Sequence, residues 1–141
     1  MLDATHLTTP SPTTAVIAAR ILTPVVRSCQ WLFINVKQAH WSMRGVNFIA
    51  GDELLDTVAT HARDGADEAA ERIVSLGLPL DARLAIIADN SQPTAVAAAF
   101  SAWDDSIRAV SRTRTRFSPT STAPSRGWTA PTWSVKTSSS A

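Results

Sequence analysis

The sequence predicts an all-α fold, three antiparallel helices with room for a fourth that no segment fills. Three observations carry this. Apolar residues recur at three- and four-residue spacing in three separate stretches; Gly and Pro stand at the ends of those stretches; no run alternates as a half-buried strand would.

Taken in order, residues 1–12 are polar, contain Pro10 and Pro12, and lack periodicity, so 1–23 reads as a flexible arm with a helical turn or two between Ala15 and Leu22. Thr23–Pro24 supplies a helix start, Thr as N-cap and Pro at the first helical position, where its missing N–H costs nothing. Val25, Cys29, Leu32, Val36 and Ala39 then form an apolar stripe, widened by Val26, Phe33 and His40 and ended by Arg44–Gly45. A second helix is expected from Phe48 to Leu76, with Leu54, Leu55, Val58, Ala62, Ala66, Ala69, Ala70, Ile73 and Val74 on its buried side. It would span roughly 43 Å at 1.5 Å per residue. Gly51 and Gly65 inside it each cost about 1 kcal/mol against Ala, so packing must sustain it. Gly77 and Pro79 stop it, and Leu80 to Asn90 holds a short helix in a crossover. Thr94 is placed to cap a third helix, Ala95 to about Arg112, with Val96, Ala99, Phe100, Trp103, Ile107 and Val110 on one face.

Beyond Ser111 the pattern collapses. Residues 106–141 contain nine Ser, seven Thr and three Pro, a composition that buries too little apolar surface to offset chain entropy. The charge divides at the same place. The net charge of +1 over 141 residues conceals seven basic and 12 acidic side chains in residues 1–105, a net of −5, and six basic with no acidic ones in residues 106–141. Residues 24–111 therefore form the helical domain and 112–141 a basic, low-complexity tail. The single cysteine excludes an internal disulfide framework and a cysteine-based zinc site. The absence of a run of about 18 apolar residues argues against a bilayer span. The start lacks the basic and apolar regions of a secretory signal, so a cytoplasmic location is expected.

Asp52, Asp56, Asp67 and Glu71 are the chemically informative residues of the second helix. They fall at roughly 0°, 40°, 60° and 100° around it, one stripe made of two i,i+4 carboxylate pairs. A solvated acidic face is the ordinary reading of such a stripe. Asp56 and Asp67 lie roughly 16 Å apart along the axis, beyond the reach of one ion. Two copies of the helix packed antiparallel about a two-fold axis would, however, bring Asp56 of one toward Asp67 of the other, giving two equivalent metal sites. His40 could add an imidazole, and mixed carboxylate and imidazole ligation suits iron or manganese better than calcium.

The stretch KQAHWSMRGVNFIAGDELLD, followed by ADEAAERIVSLG, resembles the signature of Dps-type miniferritins, the DNA-protecting proteins of starved cells. The resemblance covers about Pro24 to Val110. It implies a ferritin-like four-helix bundle assembled into a hollow dodecameric cage, with oxidation of Fe(II), preferably by hydrogen peroxide, at sites between two-fold-related subunits. It implies that His40 and Asp56 of one subunit bind iron with Asp67 and Glu71 of another, and that Trp41 is the aromatic beside the site. Asp52 stands where the family usually has a second histidine, after Gly51 in place of a bulky residue. A carboxylate there still binds iron but adds negative charge.

Among the remaining candidates, His61 and His6 read as exposed, Trp41 most simply as a core aromatic, and Cys29 as a buried small hydrophobe. The resemblance places a fourth helix where 112–141 lie. With G/C-rich codons for Thr115 to Ser140, reading two nucleotides later yields an acidic, amphipathic helical sequence, so the tail is interpreted as an out-of-frame translation of that helix. The competing interpretation is non-specific DNA binding, with Trp128 and Trp133 among the tail's uncompensated basic residues. The functional expectation is iron oxidation and sequestration; its alternative is a non-enzymatic or assembly-defective remnant in which the carboxylates are only an acidic face.

Overall fold

The computed structural model describes residues 10–91 and 93–115. Helix α1 covers Pro12–Ser42, a two-residue strand β1 Met43–Arg44, α2 Phe48–Ser75, α3 Leu84–Asn90, a second short strand β2 Ser101–Ala102, and α4 Trp103–Thr115.

Helix α1 begins twelve residues before the expected start, at Pro12 rather than Pro24. The same chemistry operates at an earlier site: Ser11 is the N-cap, its Oγ accepting from the Thr14 N–H at 3.2 Å, and Pro12 takes the first helical position. Residues 12–23, expected within the arm, are thus helical, and Pro24 lies inside the helix. Proline there removes one backbone hydrogen bond. Nearby hydroxyls bond to helix carbonyls, Thr23 Oγ1 donating to Ala19 O at 2.7 Å and Ser28 Oγ to Pro24 O at 2.6 Å. By length and composition α1 would also suffice to cross a bilayer. Here one side of it packs on α2, and Arg20, Arg27 and Lys37 stand along it.

Helix α2 keeps the expected limits within a residue, and Gly77, at φ +77°, carries the chain away from its end. Helices α1 and α2 form an antiparallel hairpin. Val36, Ala39 and Met43 pack with Leu55 and Ala59 in one cluster, which Val110 of α4 joins. Val26 packs with Ala66, Ala69 and Ile73 in the other, so positions descending along α1 meet positions ascending along α2. The alanines of α2 keep the helices close, and Gly65 lies against Cys29, where an added Cβ would come within 3.8 Å of the Sγ. Leu54 and Val74, expected on the buried side, are 50% and 63% exposed. Leu54 instead lines a cavity of about 150 Å³ with Leu32, Leu55, Val58, Ile107 and Val110, where α4 covers the hairpin only in part.

The crossover after α2 is anchored by Arg27, whose guanidinium donates twice to the Asp81 backbone oxygen at 3.1 and 2.9 Å. The expected third helix from Ala95 starts instead at Trp103. Thr94 Oγ1 accepts from the Val96 N–H at 3.0 Å in a local turn, without capping a helix. Ser101 and Ala102 pair in parallel with Met43 and Arg44, a strand pairing absent from the sequence expectation. The Arg44 guanidinium covers the Phe100 ring at 4.1 Å, which favours an extended chain over a helical one there. Asp104 and Asp105 stand in the first turn of α4, suited to the positive end of its dipole, and both bind Arg108. Helix α4 runs to Thr115, so residues 112–115 of the expected tail are helical, with Thr113 buried. The tail and its reading-frame interpretation otherwise lie outside the described residues, as does the start of the arm.

Candidate metal centre

Three of the five expected ligands meet at the closed end of the hairpin. His40 is in the last turn of α1, and Asp52 and Asp56 occupy successive turns at the start of α2. The reversal between them is short and fixed. Gly45 adopts φ +123°, a conformation costly for any residue with a Cβ, and the side chain of Met43 is fully buried beneath the first turn of α2. A Cβ at position 51 would stand 2.7 Å from Met43 Sδ and 2.9 Å from its Cε. Gly51 therefore lets the first turn of α2 seat directly on Met43, which holds Asp52 opposite His40. That is a packing reason for the small residue where the family carries a bulky one.

The His40 Nδ1 lies 3.1 Å from Asp52 Oδ1 and 3.5 Å from Asp56 Oδ1. One ligand atom from each of the three residues falls within 4.8 Å of the others. The Nδ1 is nevertheless buried without a hydrogen-bond partner, because neither carboxylate lies along a proper N–H direction. A buried ring nitrogen left without a hydrogen-bond partner beside two carboxylate oxygens is costly, and a shared cation relieves it. Nitrogen plus two carboxylates is also a donor set that iron and manganese accept. The residues present thus fit a divalent transition metal, and the partnerless ring nitrogen is the observation that tests the fit.

Lys37 completes the site's electrostatics, and its role was not inferred from the sequence. Its Nζ donates to Asp56 Oδ1 at 2.8 Å and lies 5.9 Å from the centroid of the Trp41 ring. Its i−3 position relative to His40 places both on one face of α1, a signal available in the sequence. The Lys37 hydrogen bond, aided by the positive fields of His40 and Lys37, holds the Asp56 carboxyl below its ordinary range against the opposing effect of desolvation.

Asp67 and Glu71 are exposed on α2, about three and four turns beyond Asp56, and do not join the cluster within one chain. His61 is exposed, as expected, and His6 lies outside the described residues. Trp41 departs from its expectation as a core aromatic, being 63% exposed beside the site. Cys29 is half-buried, and desolvation raises its thiol pKa.

No protein-family model matches the chain. Over 46 residues it is 50% identical to the DNA protection during starvation protein of Agrobacterium fabrum, an alignment covering 33% of this chain and 28% of that protein. The chain thus spans less than a third of that curated relative's length. A Dps structure from Deinococcus radiodurans, 24% identical, superposes with a TM-score of 0.68 over 74% of this chain and 63% of that one, a likeness of fold alone. The structure of Dps from Microbacterium arborescens in the high iron form is 52% identical, with a TM-score of 0.73, over 77% of this chain and 70% of that one. Half-identity sustained over most of both chains, on the same helical framework, means that this chain belongs to the Dps-type miniferritin family, with its ferritin-like helical fold.

Proposed function

We propose that the protein oxidises Fe(II) and sequesters the ferric product in the cytoplasm, as a homo-oligomer, in protection against starvation and oxidative stress. Fe(II) is the substrate. His40, Asp52 and Asp56 of one subunit hold it together with Asp67 and Glu71 of a copy related by a two-fold axis, within a dodecameric cage. The observation that carries this reading is the partnerless, buried Nδ1 of His40, aimed between two carboxylates from the next helix. The Microbacterium arborescens relative, described in a high iron form, supports the choice of metal.

The chemistry follows from the donors. Two Fe(II) ions each give one electron to hydrogen peroxide, which is reduced to two hydroxide ions. The carboxylates of Asp52 and Asp56 favour the harder, more highly charged Fe(III), so they stabilise the product more than the reactant. The imidazole fixes one direction of approach, and the short, fixed reversal at Met43 and Gly51 keeps it aligned with α2. Asp67 and Glu71 are too far along α2 to serve the same ion from within the chain, which is why a second copy enters the reading.

Anaerobic Fe(II) titration followed by a peroxide pulse tests it, alongside a mass measurement of the assembled particle. His40→Ala should weaken binding by more than the roughly 10–100-fold that changes outside the ligand shell cost. Asp67→Asn/Glu71→Gln should slow oxidation while leaving the His40 half of the site able to bind. Unchanged oxidation in the double variant removes those two residues from the site; unchanged binding in His40→Ala removes the site itself.

A further inference from the structure

We propose that Lys37 is a tethered competitor for the metal, its ammonium occupying the Asp56 oxygen that an incoming cation needs, with Asp52 offsetting its charge. This rests on the metal-site reading above. The Lys37 Nζ is 2.8 Å from Asp56 Oδ1, and His40 Nδ1 is 3.5 Å from that same oxygen. A transition-metal ion ligated by both Nδ1 and Oδ1, at about 2.0–2.2 Å from each, takes a position beside that oxygen and therefore close to the ammonium. One carboxylate oxygen does not serve both cations at full strength, so the ammonium withdraws as the ion binds.

Two features make the withdrawal feasible. The Lys37 side chain is only 24% exposed, yet its Nζ already lies 5.9 Å from the Trp41 ring centroid, so an indole face is available to receive the displaced cation. The charge tally also favours entry. Among these three side chains, Asp52 and Asp56 against Lys37 leave one net negative charge before metal arrives. A neutral histidine at position 52 would leave none. The aspartate at position 52 thus compensates the lysine, and the pair sets how strongly the half-site attracts a divalent ion.

The test is a titration of the full chain with Co(II) alone, without oxidant, followed by calorimetry and by the visible absorption of the bound ion. Lys37→Met should tighten Co(II) binding at least about tenfold, since a unit charge within a few ångströms of a divalent ion is removed. Lys37→Gln should do the same, and Lys37→Arg, which keeps the charge, should remain within about twofold of the parent. Each variant is repeated with His40→Ala, which should abolish the signal. Equal, His40-dependent affinity in the parent, Lys37→Met and Lys37→Gln overturns the role of the lysine and leaves the metal site standing. No His40-dependent binding in any of them removes the metal site and the lysine's role together.

Discussion

Replacing Gly51 with Ala sets two effects against each other. In a helix interior Ala is better than Gly by about 1 kcal/mol, so propensity alone forecasts a more stable protein. The packing forecasts the reverse. The new Cβ would stand 2.7 Å from Met43 Sδ and 2.9 Å from Met43 Cε, whereas ordinary contacts begin near 3.4 Å, so the methionine must retreat by several tenths of an ångström. Its thioether end is flexible, but the residue has no exposed surface and is packed in the cluster with Val36, Ala39 and Leu55. Overpacking of an enclosed site costs about 1–3 kcal/mol. The difference leaves Gly51→Ala less stable by roughly 1 kcal/mol, a shift of about 0.5 M in the urea midpoint for a slope near 2 kcal/mol/M. In a Met43→Ala background the obstruction is gone, and the same substitution should stabilise by about 1 kcal/mol. The double-mutant cycle should therefore show a coupling of about 2 kcal/mol. If Gly51→Ala raises the midpoint by the propensity amount and shows no coupling to Met43, the packing account of position 51 is wrong.

Elsewhere the expectations are simpler. Ile73, with no exposed surface, anchors the cluster at the open end of the hairpin, and Ile73→Ala should cost about 2–5 kcal/mol in chemical denaturation. A loss under about 1 kcal/mol would show that this end of the hairpin contributes little. The Asp81 carboxylate is gripped by Arg83 at 2.9 and 2.8 Å, which lowers its pKa to about 2. A depressed carboxyl favours the folded state above its unfolded pKa, and that contribution disappears as pH falls from about 4 toward 2. A carboxyl-carbon NMR titration should place Asp81 near 2, and Arg83→Gln should return it toward 3.8; an unshifted Asp81 in the parent would refute the ion pair.

The parts of the molecule legible in sequence are those where one signal dominates. Helix α2 was readable almost to the residue because its periodic stripe is long and Gly77–Pro79 stops it without a rival. Helix α1 offered two Pro-at-the-start signatures, Ser11–Pro12 and Thr23–Pro24, and only the tertiary fit to α2 decides that the second is interior. The segment before α4 was misread because its apolar spacing suits a helix, while pairing with Met43 and Arg44 and the stacking of Phe100 under Arg44 are non-local. At the site, His40, Asp52 and Asp56 were identifiable from the type and order of residues around the reversal. For Lys37 the sequence offers only its place on the His40 face of α1, where a lysine is ordinarily a solvated charge, and the distance to Asp56 is what distinguishes it.

The parallel pairing of β1 with β2 has a kinetic consequence. It joins Met43 to Ser101, residues far apart in sequence, whereas α1 and α2 are joined across the few residues between Ser42 and Phe48. Loop-closure entropy rises with the logarithm of loop length, so closing the longer span costs roughly 2 kcal/mol more than closing the hairpin. On this ground the hairpin is expected to form first and α4 to dock on it afterwards. His40, Asp52 and Asp56 all lie on the hairpin. The three residues proposed to hold metal therefore lie in the most local part of the fold, whose closure does not wait for the rest of the chain to arrive.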